Sequence, residues 1–319
     1  MKKLESTRIA FTEGLMALAE TDPRIVLVCA DSLKVIKGER FAERFPERYF
    51  DAGIAEQNAA AFAAGLAACG LIPFFATYAG FITMRACEQL RTFTAYPGLN
   101  VRFVGANGGM ASGEREGVTH QFFEDIGIVR SIPGITVVVP SDAGQVRQAV
   151  KAAAYVDGPV YLRLGSGRDP VGPETENAFK LGKIRRLKET GTAAAIFVSG
   201  LVVNRALEAA ALLDTLGIGT AVVEIHTLKP LDTAAVAGIL KQTGAAVTIE
   251  DHNIIGGLGS AIAEVAAAEF PVPLERVGLQ DIYPQSGEPE ALLDHYGIGV
   301  INIVEAVKKA AARKEKMKG

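Results

Sequence analysis

Two α/β domains, each an open, mainly parallel sheet layered between helices, are what this sequence predicts. Three observations carry the prediction. Apolar runs of strand length alternate with helix-length periodic segments through almost the whole chain. The strand-like runs are continuously apolar rather than alternating, as expected of strands buried on both faces in a parallel sheet. The chain has 319 residues, more than one hydrophobic core usually holds, since single cores stop growing at about 250–300 residues.

The elements follow in order. Glu5–Glu20 has the helical period, with Ile9, Leu15, Met16 and Ala19 on the inward face. Ile25–Ala30 is an apolar strand ending at Asp31. Ile54–Cys69 reads as an Ala-rich helix, Ile72–Ala76 as a buried strand, and Gly80–Ala95 as a helix whose Phe81, Met84 and Leu90 are apolar. Val101–Gly105 is the next strand, and a Gly-rich loop runs over 106–120. Strands Ile135–Val139 and Val160–Leu164 flank a helix that Ser141 caps and that runs to Tyr155. Residues 166–191 turn to Gly, Pro and charge, which predicts a linker between a domain over 1–165 and another over 192–319. In the second domain Ala194–Val198, Ala221–Ile225, Val247–Glu250 and Leu274–Gly278 read as strands. Its helices fall near 203–216, 232–243, 259–269, 288–295 and 301–316.

Composition narrows the function. The chain carries 33 Lys+Arg against 36 Asp+Glu, a net charge of −3, which excludes the basic field of a general nucleic-acid binder. Its 49% hydrophobic and 22% charged residues are those of a folded chain with large cores. Cys29, Cys69 and Cys87 form no CxxC pair, so the expectation is buried thiols in a reducing cytoplasm, with no disulfide scaffold and no metal site. Residues 59–84 carry no Asp, Glu, Lys or Arg. That exceeds the ~20 residues a membrane span needs, but Gly70 and Pro73 split the stretch into an Ala-rich helix and a strand. The opening MKKLESTR has no apolar segment behind its basic pair, so no signal peptide is expected.

Open sheets bind ligands at the C-terminal ends of their strands. Asp31, Thr77–Tyr78 and the loop after Gly105 lie at such ends. Glu56 opens the Ala-rich helix. A carboxylate there complements the helix dipole, or, desolvated among apolar neighbours, shares a proton with a ligand. Tyr78 and Phe81 follow a strand end, where they either pack the core or wall a flat heterocycle. His120 has no second His nearby, which argues against a metal. GGLGSA (256–261) is an incomplete phosphate-type glycine motif, and Glu250-Asp251-His252 is expected to be a cluster at a loop entry. No GxxxxGK[ST], GxSxG or HExxH occurs.

Together the motifs resemble one family. GIAEQN (53–58), PFFATYAGF (73–81), GEREGVTH (113–120), RSIP (130–133), TLKPLD (227–232) and EDHN…GGLG (250–259) resemble, in order and spacing, the C-terminal section of transketolase. That section comprises the pyrimidine-binding and C-terminal domains. The resemblance runs from Thr7-Arg8 to the last helix. It implies a thiamine diphosphate enzyme that moves a two-carbon ketol unit between sugar phosphates. Glu56 matches the glutamate that hydrogen-bonds N1′ of the cofactor's aminopyrimidine and favours its 4′-imino tautomer. Tyr78 and Phe81 match the aromatic walls of the pyrimidine, Asp31 an acidic position near the cofactor, and Arg8 an arginine that grips the substrate phosphate. His120 matches the histidine on the substrate hydroxyl.

The Gly-rich loop departs from the pattern. Asn107 stands where the family commonly has His, and GEREGVTH is one residue longer than the family's GEDGPTH. The acidic substrate contact is then Arg115 or Glu116 by alignment, and Glu116 by charge. A second phosphate arginine is Arg163 or Arg168. No GlyAspGly segment, which in the family belongs to the Mg²⁺ and diphosphate site, occurs in the sequence. The resemblance therefore implies a partner chain with the N-terminal section, carrying the Mg²⁺ ligands, in an assembly with two copies of each chain. The beta subunit of a 2-oxo acid dehydrogenase, half of a deoxyxylulose-phosphate synthase, and a degenerate regulatory or dimerisation subunit are the alternatives.

Overall fold

The computed structural model describes residues 3–113, 116–173 and 179–317. A seven-stranded sheet occupies the first half, in the order Thr227–Lys229, Thr136–Val138, Val160–Arg163, Arg102–Ala106, Ile72–Tyr78, Ile25–Cys29 and Tyr49–Asp51. All neighbours are parallel except Thr227–Lys229, which pairs antiparallel with Thr136–Val138. The second sheet has five strands in the order Leu274–Leu279, Ala246–Asn253, Ala195–Val198, Ala221–Glu224 and Arg185–Glu189, the last antiparallel. Ile25–Cys29 and Ala195–Val198 are continuously apolar and buried along their whole length, as parallel strands covered on both faces are, and Arg102–Ala106 and Val160–Arg163 are equally buried but each carries one arginine. No helix among the described residues is long and apolar enough to cross a membrane.

The boundary between the halves is less clean than the composition implies. The stretch expected to be a linker, 166–191, contains two strands. Asp169–Pro170 pairs with Leu4–Glu5, and Arg185–Glu189 forms an edge of the second sheet. Conversely, Thr227–Lys229 leaves the second half to complete the first sheet. Charge on Arg185–Glu189 reflects an edge strand with one solvated face, not an unstructured connection.

Local chemistry corrects four further expectations. Ile9 faces outward and Met16 is half-buried, while the first helix, Thr7–Thr21, buries Leu15 and Ala19 as expected and adds Phe11 and Leu18. The cap of Ala143–Ala154 is Asp142, whose carboxylate accepts from Gln145 N at 2.7 Å; the Ser141 N–H donates to the Gln145 side chain. Cys29 is buried, but Cys69 is exposed and Cys87 half-buried. Glu250, Asp251 and His252 belong to the strand Ala246–Asn253 and are all buried.

Candidate functional site

Gly80–Ala95 is not a regular α-helix. Phe81–Arg85 and Leu90–Ala95 are π-helical turns around the short α-turn Cys87–Gln89. The wider turn places Arg85 back over Phe81, with its guanidinium carbon 3.9 Å from the ring centroid. From there Arg85 Nη1 donates to Glu56 Oε1 at 2.7 Å. Glu56 is 3% exposed in the first turn of Glu56–Ala68. It is thus not an isolated carboxylate among apolar groups, as its sequence context implied. Among the described residues, no hydrogen bond reaches its Oε2.

Phe81 also belongs to an aromatic cluster. Its centroid lies 5.2 Å from Tyr78, 5.5 Å from His120 and 5.5 Å from Phe122, and Tyr78 lies 4.8 Å from His120. Glycine at position 80 makes this possible, since a Cβ there would sit 2.0 Å from the Phe122 ring. Phe122 was not singled out from sequence. The signal was its place two residues after His120, just past the end of the motif.

A polar chain runs beside the rings. Arg8 Nη2 donates to Asn107 Oδ1, and Asn107 Nδ2 donates to Glu116 Oε2 at 3.1 Å, beside the Tyr78 ring. Partial burial, together with the Glu116 carboxylate, pushes the Tyr78 phenol above its usual pKa. Arg8 is also fixed by Gly165 O and Val35 O, each at 3.1 Å. Asn107 stands in the left-handed region, φ 57°, which Asn tolerates better than most residues. His120 Nδ1 lies 3.0 Å from Thr119 Oγ1. Arg115 lies outside the described residues.

Asp31 ends its strand with φ 52°, its N–H donating to Asp51 Oδ1 at 2.9 Å. Burial raises the Asp51 carboxyl, but N–H groups of Asp31 and Gly53 and the Tyr49 hydroxyl outweigh it and hold the pKa low. Asp31 is at the expected strand end but outside the aromatic cluster.

The two arginine candidates separate. Arg163 is buried against Asp125, with Nε–Oδ2 and Nη2–Oδ1 both 2.9 Å, and it also donates to Phe122 O and Asp251 O. Tyr161 OH donates to the same Asp125 at 2.6 Å. Arg163 is therefore a brace under Phe122, and the expectation that it offers its fork to a phosphate is corrected. Arg168 is 55% exposed and lines a 490 Å³ cavity between the halves with Ser112 and Ser166.

The strand Ala246–Asn253 anchors the site from the second half. Asp251 accepts from Met110 N at 2.8 Å and Ala111 N at 3.2 Å. Gly109, at φ 104°, is required, because a Cβ would sit 2.2 Å from Asp251 Oδ2. Glu250 accepts from Leu258 N at 2.6 Å and Gly259 N at 2.8 Å. The GGLGSA turn is thus a helix N-terminus already occupied by the protein's own carboxylate, not a phosphate cradle. His252 Nε2 accepts from Gly127 N at 3.2 Å.

The chain is similar to known proteins in sequence and fold. The sequence matches the family models "Transketolase, pyrimidine binding domain" over residues 5–168 and "Transketolase, C-terminal domain" over 182–303. It is 41% identical over 308 residues to the 6-deoxy-6-sulfo-D-fructose transketolase subunit SqwH of Clostridium sp. (strain MSTE9), covering 96% of this chain and 95% of that one. It is 35% identical over 307 residues to an apulose-4-phosphate transketolase subunit of Phocaeicola vulgatus, covering 95% and 97%. Its fold superposes with TM-score 0.87 on a solved split-gene transketolase, an inactive beta4 tetramer, at 41% identity and with 97% and 99% of the two chains covered.

Proposed function

The chain belongs to the transketolase family, spanning its pyrimidine-binding and C-terminal domains, and from that premise we propose that it is the C-terminal subunit of a split enzyme that moves a two-carbon ketol unit between sugar phosphates. The observation that carries the proposal is a buried carboxylate, Glu56, joined through Arg85 to a wall of aromatic rings. An aminopyrimidine needs both: an apolar face to stack on and an acceptor for an N–H on its edge.

The residues present fit thiamine diphosphate, which when bound supplies the thiazolium that stabilises a ketol carbanion. Glu56 would hold the proton at N1′ on its Oε2, with Arg85 fixing the carboxylate from the other oxygen. Tyr78, Phe81 and Phe122 would hold the ring and exclude water, and Asp31 would flank the cofactor. His120 and Glu116 would hydrogen-bond substrate hydroxyls. Arg8 and Arg168 would bind the sugar phosphate.

The diphosphate donors and Mg²⁺ ligands are proposed to sit on a partner chain with the N-terminal section, in an assembly with two copies of each chain. Support comes from two relatives that are named as transketolase subunits and from the split-gene neighbour. Exposed Ile54, Phe62, Met84, Phe93 and Tyr96 supply an apolar surface for that contact. The cytoplasm is the proposed location.

The test is an assay of the chain mixed with its partner, thiamine diphosphate and Mg²⁺, offered a panel of ketose phosphates with aldose phosphate acceptors, and pyruvate separately. Two-carbon transfer to the aldose is expected. Pyruvate decarboxylation without ketol transfer would overturn the reading in favour of a 2-oxo acid dehydrogenase.

A further inference from the structure

A second cavity, of 460 Å³, lies at the seam where Thr227–Lys229 crosses to the first sheet. Lys180, Lys183, Arg185, Arg186 and His226 line it. None of the residues assigned above to cofactor or substrate does.

Two of these side chains each carry a buried nitrogen without a hydrogen bond among the described residues, Arg185 Nε and His226 Nε2. Arg185 is 7% exposed. Its one charge partner among the described residues is Glu224, Nε–Oε2 3.2 Å, and the pair does not meet hydrogen-bond geometry: both atoms lack a hydrogen bond among those residues. Neither Nη of Arg185 makes a hydrogen bond among them. Leaving a buried N–H donor unmet is costly, and the Nε of Arg185 is one. His226 is fully buried, and its Nε2 also has no partner among the described residues. Its Nδ1 lies 2.9 Å from Thr227 Oγ1, which itself accepts from Gly182 N at 3.1 Å. The Thr227 hydroxyl proton is then free to point at Nδ1, which leaves the imidazole proton on Nε2, a second unmet donor.

The rim adds cations. Lys180, Lys183 and Arg186 are exposed. Arg186 pairs with Glu189 at 3.0 Å, an exposed pair of the kind that is weak and exchanges readily, and Lys183 pairs with the largely buried Asp232 at 3.3 Å. We propose that this cavity binds a phosphate dianion, free or as the phosphate group of a small metabolite, at a site separate from the catalytic one. Arg185 and His226 would donate from the floor, and the rim cations would neutralise the charge.

The experiment is calorimetric titration of the full chain, at constant ionic strength, with inorganic phosphate, ribose 5-phosphate and ribose. Three variants are compared: Arg185→Gln, the rim double variant Lys180→Ser/Arg186→Ser, and Arg8→Ala. Phosphate and ribose 5-phosphate are expected to bind and ribose not. Both cavity variants should weaken inorganic phosphate binding about tenfold or more, the scale of a lost charge-assisted contact, and that cavity-dependent binding should persist in Arg8→Ala, which removes only an arginine of the proposed substrate site. Tighter binding of the ester identifies a phosphorylated metabolite as the ligand, and equal binding identifies the free dianion. The rim variant decides the matter should Arg185→Gln fail to fold. No binding of either phosphate, binding unchanged in the rim variant, or loss only in Arg8→Ala would overturn the proposal. Because ketol transfer is not the readout, its success or failure is independent of the proposed activity.

Discussion

Arg85 Nη1 lies 2.7 Å from Glu56 Oε1. One side chain, lying on the Phe81 ring, thereby fixes the carboxylate and the aromatic wall relative to each other. The rotamer of Glu56 is set before any ligand arrives, the preorganisation a proton-sharing group requires.

Glu56→Gln keeps the shape and the Arg85 contact through its carbonyl oxygen but cannot hold the proton. With partner and cofactor present, turnover is expected to fall by at least ~10²-fold with the fold intact by circular dichroism. Near-normal turnover would remove Glu56 from the mechanism.

Arg8 and His120 should act on the substrate. For Arg8→Ala, KM should rise more for phosphorylated than for unphosphorylated acceptors, by about 10- to 150-fold, corresponding to ~1.5–3 kcal/mol. Equal changes for both acceptor kinds would deny it the phosphate. His120→Ala should lower kcat/KM while thiamine diphosphate affinity, measured by titration against the reconstituted enzyme, stays close to that of the unmodified protein.

Arg163 should matter to folding instead. Removing it strands Asp125 as a buried, uncompensated charge. Arg163→Met is expected to cost ~3–5 kcal/mol in urea unfolding. Because apolar replacement of both partners is often neutral, Arg163→Met/Asp125→Leu should recover much of that loss. A single variant as stable as the parent would show that the pair does not brace the loop.

His226 predicts a pH dependence. Burial, with Arg185 nearby, lowers its pKa from 6.5 to about 4. Between those values the unfolded chain binds a proton that the folded chain excludes, so stability rises with pH across that window. The contribution is complete above about 6.5 and is lost as pH falls toward 4, on the order of 3 kcal/mol in all. Urea midpoints of His226→Gln and the parent should converge as pH drops from 7 to 4. A constant difference would contradict the burial of a neutral imidazole.

Much of this was legible in the sequence. Strands such as Ile25–Cys29 and Ala195–Val198 announce themselves because burial on both faces selects an unbroken apolar run. Glu56, Tyr78, Phe81 and His120 stand at a helix start, a strand end and a Gly-rich loop, but position alone leaves dipole and packing roles open to them, and it is the resemblance to transketolase that implies their ligand roles. What escaped depends on long-range contacts. The Arg163–Asp125 pair spans 38 residues, and the Asp251 contacts to Met110 and Ala111 span 141 and 140. No local pattern encodes such partners. The π-helical turns that bring Arg85 to Glu56 carry no propensity signal, and Thr227–Lys229 is a three-residue segment, Thr-Leu-Lys, too short for any period, whose sheet only tertiary packing decides.

The most direct test of the account is a calorimetric titration of thiamine diphosphate with Mg²⁺ into this chain alone and into an equimolar mixture with the partner chain. The account predicts weak or absent binding to the chain alone, and tight binding with ketol transfer in the mixture. Tight cofactor binding and full ketol transfer by this chain alone would contradict it.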